Sequence, residues 1–75
     1  QNDKLKEVLQ MFNNLEAEQA RKGLTNQDIA NYLEISRQSY EIKKKNGNFK
    51  YSEITKLLDL FTVSFEYLFA KDEIA

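Results

Sequence analysis

Four residues within the span 37–42, Arg37, Gln38, Glu41 and Ile42, have the types and spacing to read the edges of base pairs. Arginine can present two donors to guanine O6 and N7, glutamine can bond the N6/N7 edge of adenine, glutamate can accept from cytosine N4, and a β-branched apolar side chain can touch a thymine methyl group. Such contacts need a helix whose amino end enters the major groove with these side chains outward. Each residue also has a plainer duty. Arg37 and Gln38 can be solvated helix residues, Glu41 can pair with Lys44 or Lys45 along the helix, and Ile42 can tuck under the amino-terminal segment. Rotation decides for Ile42: it lies about 200° around a helix from Tyr40, so a Tyr40 that packs inward sends Ile42 outward.

The segment 24–40 reads as two short helices joined by a tight turn. Thr25 can cap the first through its hydroxyl, and Asp28, three residues on, can reach back as in a capping box. Ile29, Ala30 and Leu33 form its apolar face, with Ala30 small enough for two crossing helices to touch. Ile35 plugs the turn, Ser36 caps the second helix and Tyr40 faces the core. There is no proline, and the two glycines, Gly23 and Gly47, fall at expected helix ends. Leu5, Val8, Leu9, Phe12 and Leu15 recur at helical spacing, which predicts one helix reaching Lys22 or two pieces broken near Asn13 and Asn14. Ser52 is expected to cap a helix whose face is Ile54, Leu57, Leu58 and Phe61. Thr62 and Val63 form a short connection, and Ser64 caps a last helix bearing Phe65, Leu68 and Phe69. The reading is an all-α fold of five helices around one core, divided into a helical extension (1–13), a main domain (14–70) and a tail (71–75).

At these residues the chain resembles the XRE family of helix-turn-helix regulators, the group of the Cro proteins and phage repressors. The resemblance spans about residues 14–69. It is carried by Asn14 and Leu15, by Ala20 to Thr25, by Asp28-Ile29-Ala30, Leu33 and Ile35-Ser36-Arg37, by Asn46-Gly47 with Phe49, by Ser52-Glu53-Ile54, and by Val63-Ser64 with Tyr67-Leu68-Phe69. It implies a lambda-repressor-like fold, and bacterial or phage transcriptional regulation, as a repressor, through sequence-specific binding of duplex DNA. Two positions depart from the family pattern. Asn26 stands where the family usually has a phosphate-contacting glutamine. Glu34 stands where the turn usually has glycine, which implies a left-handed non-glycine residue at a cost of about 1–2 kcal/mol.

Composition narrows the other classes. Seventy-five residues make one small domain. There is no cysteine and no histidine, so disulfides, the common zinc sites and the usual nucleophile-base pairs are not expected, nor is any cofactor. Glu16 with Glu18, or Asp72 with Glu73, pair carboxylates without a pocket or metal context, so an enzyme is the least expected class. No apolar run approaches the roughly 20 residues of a membrane span and no signal peptide is evident. The expectation is a cytoplasmic protein without a membrane partner. The chain does not begin with Met, as expected of a processed chain or a piece of something longer.

The formal net charge of −1 is less basic than a nucleic-acid binder usually is, but its distribution is uneven. Between Ser36 and Tyr51, Arg37, Lys43, Lys44, Lys45 and Lys50 face one acid, Glu41; from Ser52 on, Lys56 and Lys71 face Glu53, Asp59, Glu66, Asp72 and Glu73. A basic end toward phosphate and an acidic end away from it follow. Asn26, Ser36, Ser39, Lys43, Lys44, Lys45, Asn48, Lys50 and Tyr51 are the expected phosphate contacts. Lys43 to Lys45 can alternatively favour the dipole at a helix end. The aromatic residues are expected in the core, with Tyr32 and Tyr51 the most exposed. A single unit reads few base pairs, so a homodimer on a palindromic operator is expected, joined through Leu5, Val8, Leu9 and Phe12. The alternative is a protein-interaction module, such as the antitoxin of a toxin-antitoxin pair.

Overall fold

The computed structural model describes residues 12–70, which form five α-helices and, among the described residues, no strand: α1 (Asn13–Arg21), α2 (Asn26–Leu33), α3 (Arg37–Asn46), α4 (Tyr51–Phe61) and α5 (Phe65–Leu68). Leu5, Val8 and Leu9 and the tail 71–75 lie outside the described residues. Phe12 has φ −79° and ψ 88°, so an uninterrupted helix through to Lys22 is ruled out and α1 begins at Asn13.

Side-chain caps start α2, α3 and α5. The Thr25 hydroxyl accepts from the Asp28 N–H at 3.0 Å while the Asp28 carboxylate accepts from the Thr25 N–H at 2.9 Å, closing the expected capping box. Those Thr25 donors hold the Asp28 carboxyl below its ordinary pKa, the backbone N–H contributing most. Ser36 accepts from the Ser39 N–H at 3.0 Å and Ser64 from the Tyr67 N–H at 3.2 Å. The expected cap at Ser52 is not formed. α4 begins at Tyr51, with Lys50 in the capping position, and the Glu53 carboxylate accepts from the Lys50 N–H at 2.8 Å. Ser52 is therefore inside the first turn, where its hydroxyl has no cap to make.

Four helices hand over to a residue with positive φ: Gly23 (68°) after α1, Glu34 (62°) after α2, Gly47 (77°) after α3 and Thr62 (57°) after α4. At the α2 end the Ile35 N–H returns to the Ala30 carbonyl at 2.9 Å and the Glu34 N–H to Asn31 at 3.1 Å, a Schellman-type closure built on a glutamate. The left-handed glutamate inferred from sequence is thus present; the left-handed Thr62, costlier because it is β-branched, was not foreseen. Gly47 is required twice over, since a Cβ there would also lie 2.9 Å from Phe12 Cζ.

Phe12, Leu15, Ile29, Ala30, Leu33, Tyr40, Phe49, Leu57, Phe61 and Leu68 form the core, with Ile35, Ile54 and Leu58 among those packed against it. Phe12 is 4% exposed and meets Phe69 edge-on at 5.4 Å. Its expected place in a dimer interface is corrected accordingly: its ring is spent on the core of its own chain. The Tyr67 hydroxyl donates to Glu18 at 2.9 Å and the Asn14 amide to the Tyr67 carbonyl at 2.7 Å, fastening α5 to α1.

Candidate nucleic-acid interface

Side chains on α3 advance by about 100° per residue, so Arg37, Glu41, Lys45, Gln38 and Ile42 occupy one continuous arc of about 140°. Tyr40 and Lys44 fall just beyond the Arg37 edge of that arc, about 60° and 20° past it, and are buried. With Tyr40 fully buried, Ile42 is 58% exposed, as the rotation argument requires. Gln38, Glu41, Ile42 and Lys45 line a shallow depression on this face. The four residues expected to read bases therefore share one side of one helix.

Arg37 occupies the first position of α3, where the positive end of the helix dipole disfavours a cation. Its guanidinium donates to Glu41 Oε2 at 2.7 Å. Glu41 pairs with Arg37 rather than with Lys44 or Lys45, and it also accepts from the Asn26 amide at 3.1 Å. The Asn26 amide and the Arg37 guanidinium hold the Glu41 carboxyl below the ordinary glutamate pKa.

Beneath this face lies a polar network that sequence alone did not reveal. Lys44 is 6% exposed, and its three donors go to Glu16 Oε2 at 2.8 Å, Asn26 Oδ1 at 2.9 Å and Gln19 Oε1 at 3.3 Å. The Tyr40 hydroxyl donates to Gln19 Oε1 at 2.8 Å, and Gln19 Nε2 donates to Asn26 Oδ1 at 2.9 Å. Burial, and then the Glu16 charge, push the Tyr40 phenol well above its ordinary pKa, so it remains a neutral donor. Among the described residues no buried side-chain polar atom lacks a partner. The network joins α1, α2 and α3 and fixes how α3 sits on the other two.

This changes the expected phosphate contacts. Lys44 is withdrawn from the surface, because a buried ammonium with three acceptors has no donor left to give. Asn26, the other expected contact at this point, is engaged on both sides of its amide. Lys43 is largely covered, bonded to the Asn48 carbonyl at 3.1 Å and paired with buried Glu53 at 3.2 Å. Lys45 and Lys50 are exposed and have no ion-pair partner among the described residues. Ser36 and Asn48 are exposed, Ser39 is partly covered, and Tyr51 is 82% exposed. The segment 36–51 is thus less basic at its surface than its residue count suggests, because α1 and α4 each supply a carboxylate to it.

Among the described residues there is no group of histidine, cysteine and acidic side chains that could hold a metal, and no helix is long and apolar enough to cross a membrane. No family model, curated protein or solved structure matches the chain.

Proposed function

We propose that α2, the turn at Glu34 and α3 form a helix-turn-helix of the XRE kind, and that the chain is a sequence-specific duplex-DNA-binding regulator acting as a repressor. The observation that carries this reading is the outer arc of α3. It displays a guanidinium, an amide and an exposed isoleucine side by side, an arrangement that gains little for stability: Arg37 opposes the helix dipole and Ile42 is left in water. In the major groove the same residues have partners, Arg37 at guanine, Gln38 at adenine and Ile42 at a thymine methyl group. Lys45, Lys50, Ser36, Asn48 and the Tyr51 hydroxyl flank them as phosphate donors, and a second copy on an adjacent half-site supplies the remaining specificity.

With Lys45 and Lys50 the free lysines flanking this arc among the described residues, the electrostatic share of binding is modest. Each neutralised phosphate contributes about 0.9 to the salt slope, so log Kd against log salt should rise with a slope of about 2 per protomer. Titration of the full chain into random-sequence duplex and into duplex selected from a random pool, over a series of salt concentrations, tests the reading. Salt-sensitive binding to both, tighter on the selected duplex, supports it; no binding to either removes it.

A second reading has one observation behind it. Phe65 is 48% exposed beside a groove lined by Phe12, Ile54 and Phe69, and Tyr67 on the same short helix is 38% exposed. An antitoxin-like interaction module would use that surface, and it would bind its partner protein without retaining random duplex.

A further inference from the structure

Resting on the DNA-binding reading, the geometry points to Glu41 as a positioning residue. It holds the Arg37 guanidinium in one orientation, and is itself held by Asn26, so that Arg37 reads a base pair instead of reaching for phosphate.

The orientation of every link in the chain is determined. Gln19 Oε1 already receives the Tyr40 hydroxyl and the Lys44 ammonium, so its Nε2 must face Asn26. Asn26 Oδ1 receives Gln19 Nε2 and Lys44 Nζ, both at 2.9 Å, so the Asn26 amide cannot be flipped and its Nδ2 must face Glu41. The Lys44 charge polarises this amide toward donation. Glu41 Oε2 thus has two donors, Asn26 from beneath and Arg37 from outside. One oxygen of a buried-side anchor fixes a surface arginine, leaving the rest of its planar fork for a guanine edge at small cost in side-chain freedom.

Stability does not account for the pair. Arg37 precedes Glu41 by four residues, the less favourable order on a helix, and stands at the wrong end of the dipole. The pair also cancels the charge of Arg37, which lowers its attraction to phosphate in general while preserving its directional donors.

The test uses Arg37→Ala, Glu41→Ala, Glu41→Gln and the double variant Arg37→Ala/Glu41→Ala on selected and random duplexes, with melting temperature as the check on folding. Glu41→Ala should lower the selected-to-random affinity ratio by about tenfold, much as Arg37→Ala does. It should also strengthen binding to random duplex and raise the salt slope there by about 0.9, as the freed guanidinium takes a phosphate. The double variant should discriminate no worse than Arg37→Ala alone. Glu41→Gln, which keeps an acceptor without the charge, should recover part of the ratio. Asn26→Asp approaches from the other side: it keeps the acceptor for Lys44 and Gln19 but sets a like charge against Glu41, and it should reproduce the Glu41→Ala phenotype. Losses that add in the double variant would show that Glu41 contacts a base of its own and would overturn the inference while leaving DNA binding intact. Absence of any duplex binding would overturn both.

Discussion

Lys44 and Lys45 are adjacent and identical in type, yet one is 6% exposed with three acceptors and the other is exposed with no ion-pair partner among the described residues. The difference is about 100° of rotation on α3. The inner face, Tyr40 and Lys44, holds the helix to α1 and α2; the outer face, with Arg37, Gln38, Ile42 and Lys45, is left exposed. Charge by itself carries no assignment here. The same ammonium group is a structural cross-link on one side and, in the proposed function, a phosphate donor on the other, according to which elements close over it.

Substitution at Lys44 should have the largest effect on the inner face. Lys44→Ala removes a buried cation, takes one of two donors from each of the Gln19 and Asn26 oxygens and leaves the Glu16 carboxylate without its partner, so stability should fall by about 2–3 kcal/mol, a large drop in denaturant midpoint for so small a domain. A variant that melts like the parent would mean that the inner face does not hold α3. Arg37→Ala is the opposite case. Thermal melting should change little, since the lost pair with Glu41 is offset by removal of a cation unfavourable to the dipole, whereas preference for the selected duplex should fall by about 1–3 kcal/mol. Lys45→Ala should leave stability within about 0.5 kcal/mol and reduce the salt slope by about 0.9 on all sequences alike.

Glu34→Gly sharpens the comparison by leaving both faces alone. The left-handed glutamate costs about 1–2 kcal/mol and interior glycine entropy returns about 0.5–1, so a net gain of about 0.5–1 kcal/mol is expected in denaturant melting, with DNA affinity unchanged. Thr62→Gly should gain at least as much, because its residue is β-branched at φ 57°. The smallest effect is in acid. Asp28 and Glu41 have carboxyls held below their ordinary pKa, so the stability each adds is present above the usual carboxylate range and is lost as pH falls through the lowered values. Asp28→Asn should flatten that acid limb of a stability-against-pH curve.

Much of the fold was legible because its signals are local. Thr25 with Asp28, Ser36 and Ser64 announce helix starts within four residues, and the rotation from Tyr40 to Ile42 needs only a helical period. Ser52 misled because a serine is the familiar cap, while the observed start relies on Glu53 reaching back to a lysine's backbone. Lys44 was legible in part: four residues after Tyr40, it shares the inner face, a signal outweighed by its place in a run of lysines. Its acceptors were not legible at all, since Glu16, Gln19 and Asn26 come from other helices and nothing in the run of lysines points to them. The same holds for Lys43 and Glu53. Counting charge along the segment therefore overstated the basic surface, and the error lay in pairing across helices rather than in the identity of any residue. Phe12 was expected at a dimer interface, and its burial gives it to the core instead.

Backbone amide shifts on titration of selected duplex into the full chain test most directly whether the outer face of α3 meets DNA. Shifts concentrated on Arg37, Gln38, Glu41, Ile42, Lys45, Lys50 and Tyr51, with Phe65 and Tyr67 unmoved, are the predicted result. Shifts that gather at Phe65 and Tyr67, or none anywhere at saturating duplex, would contradict it.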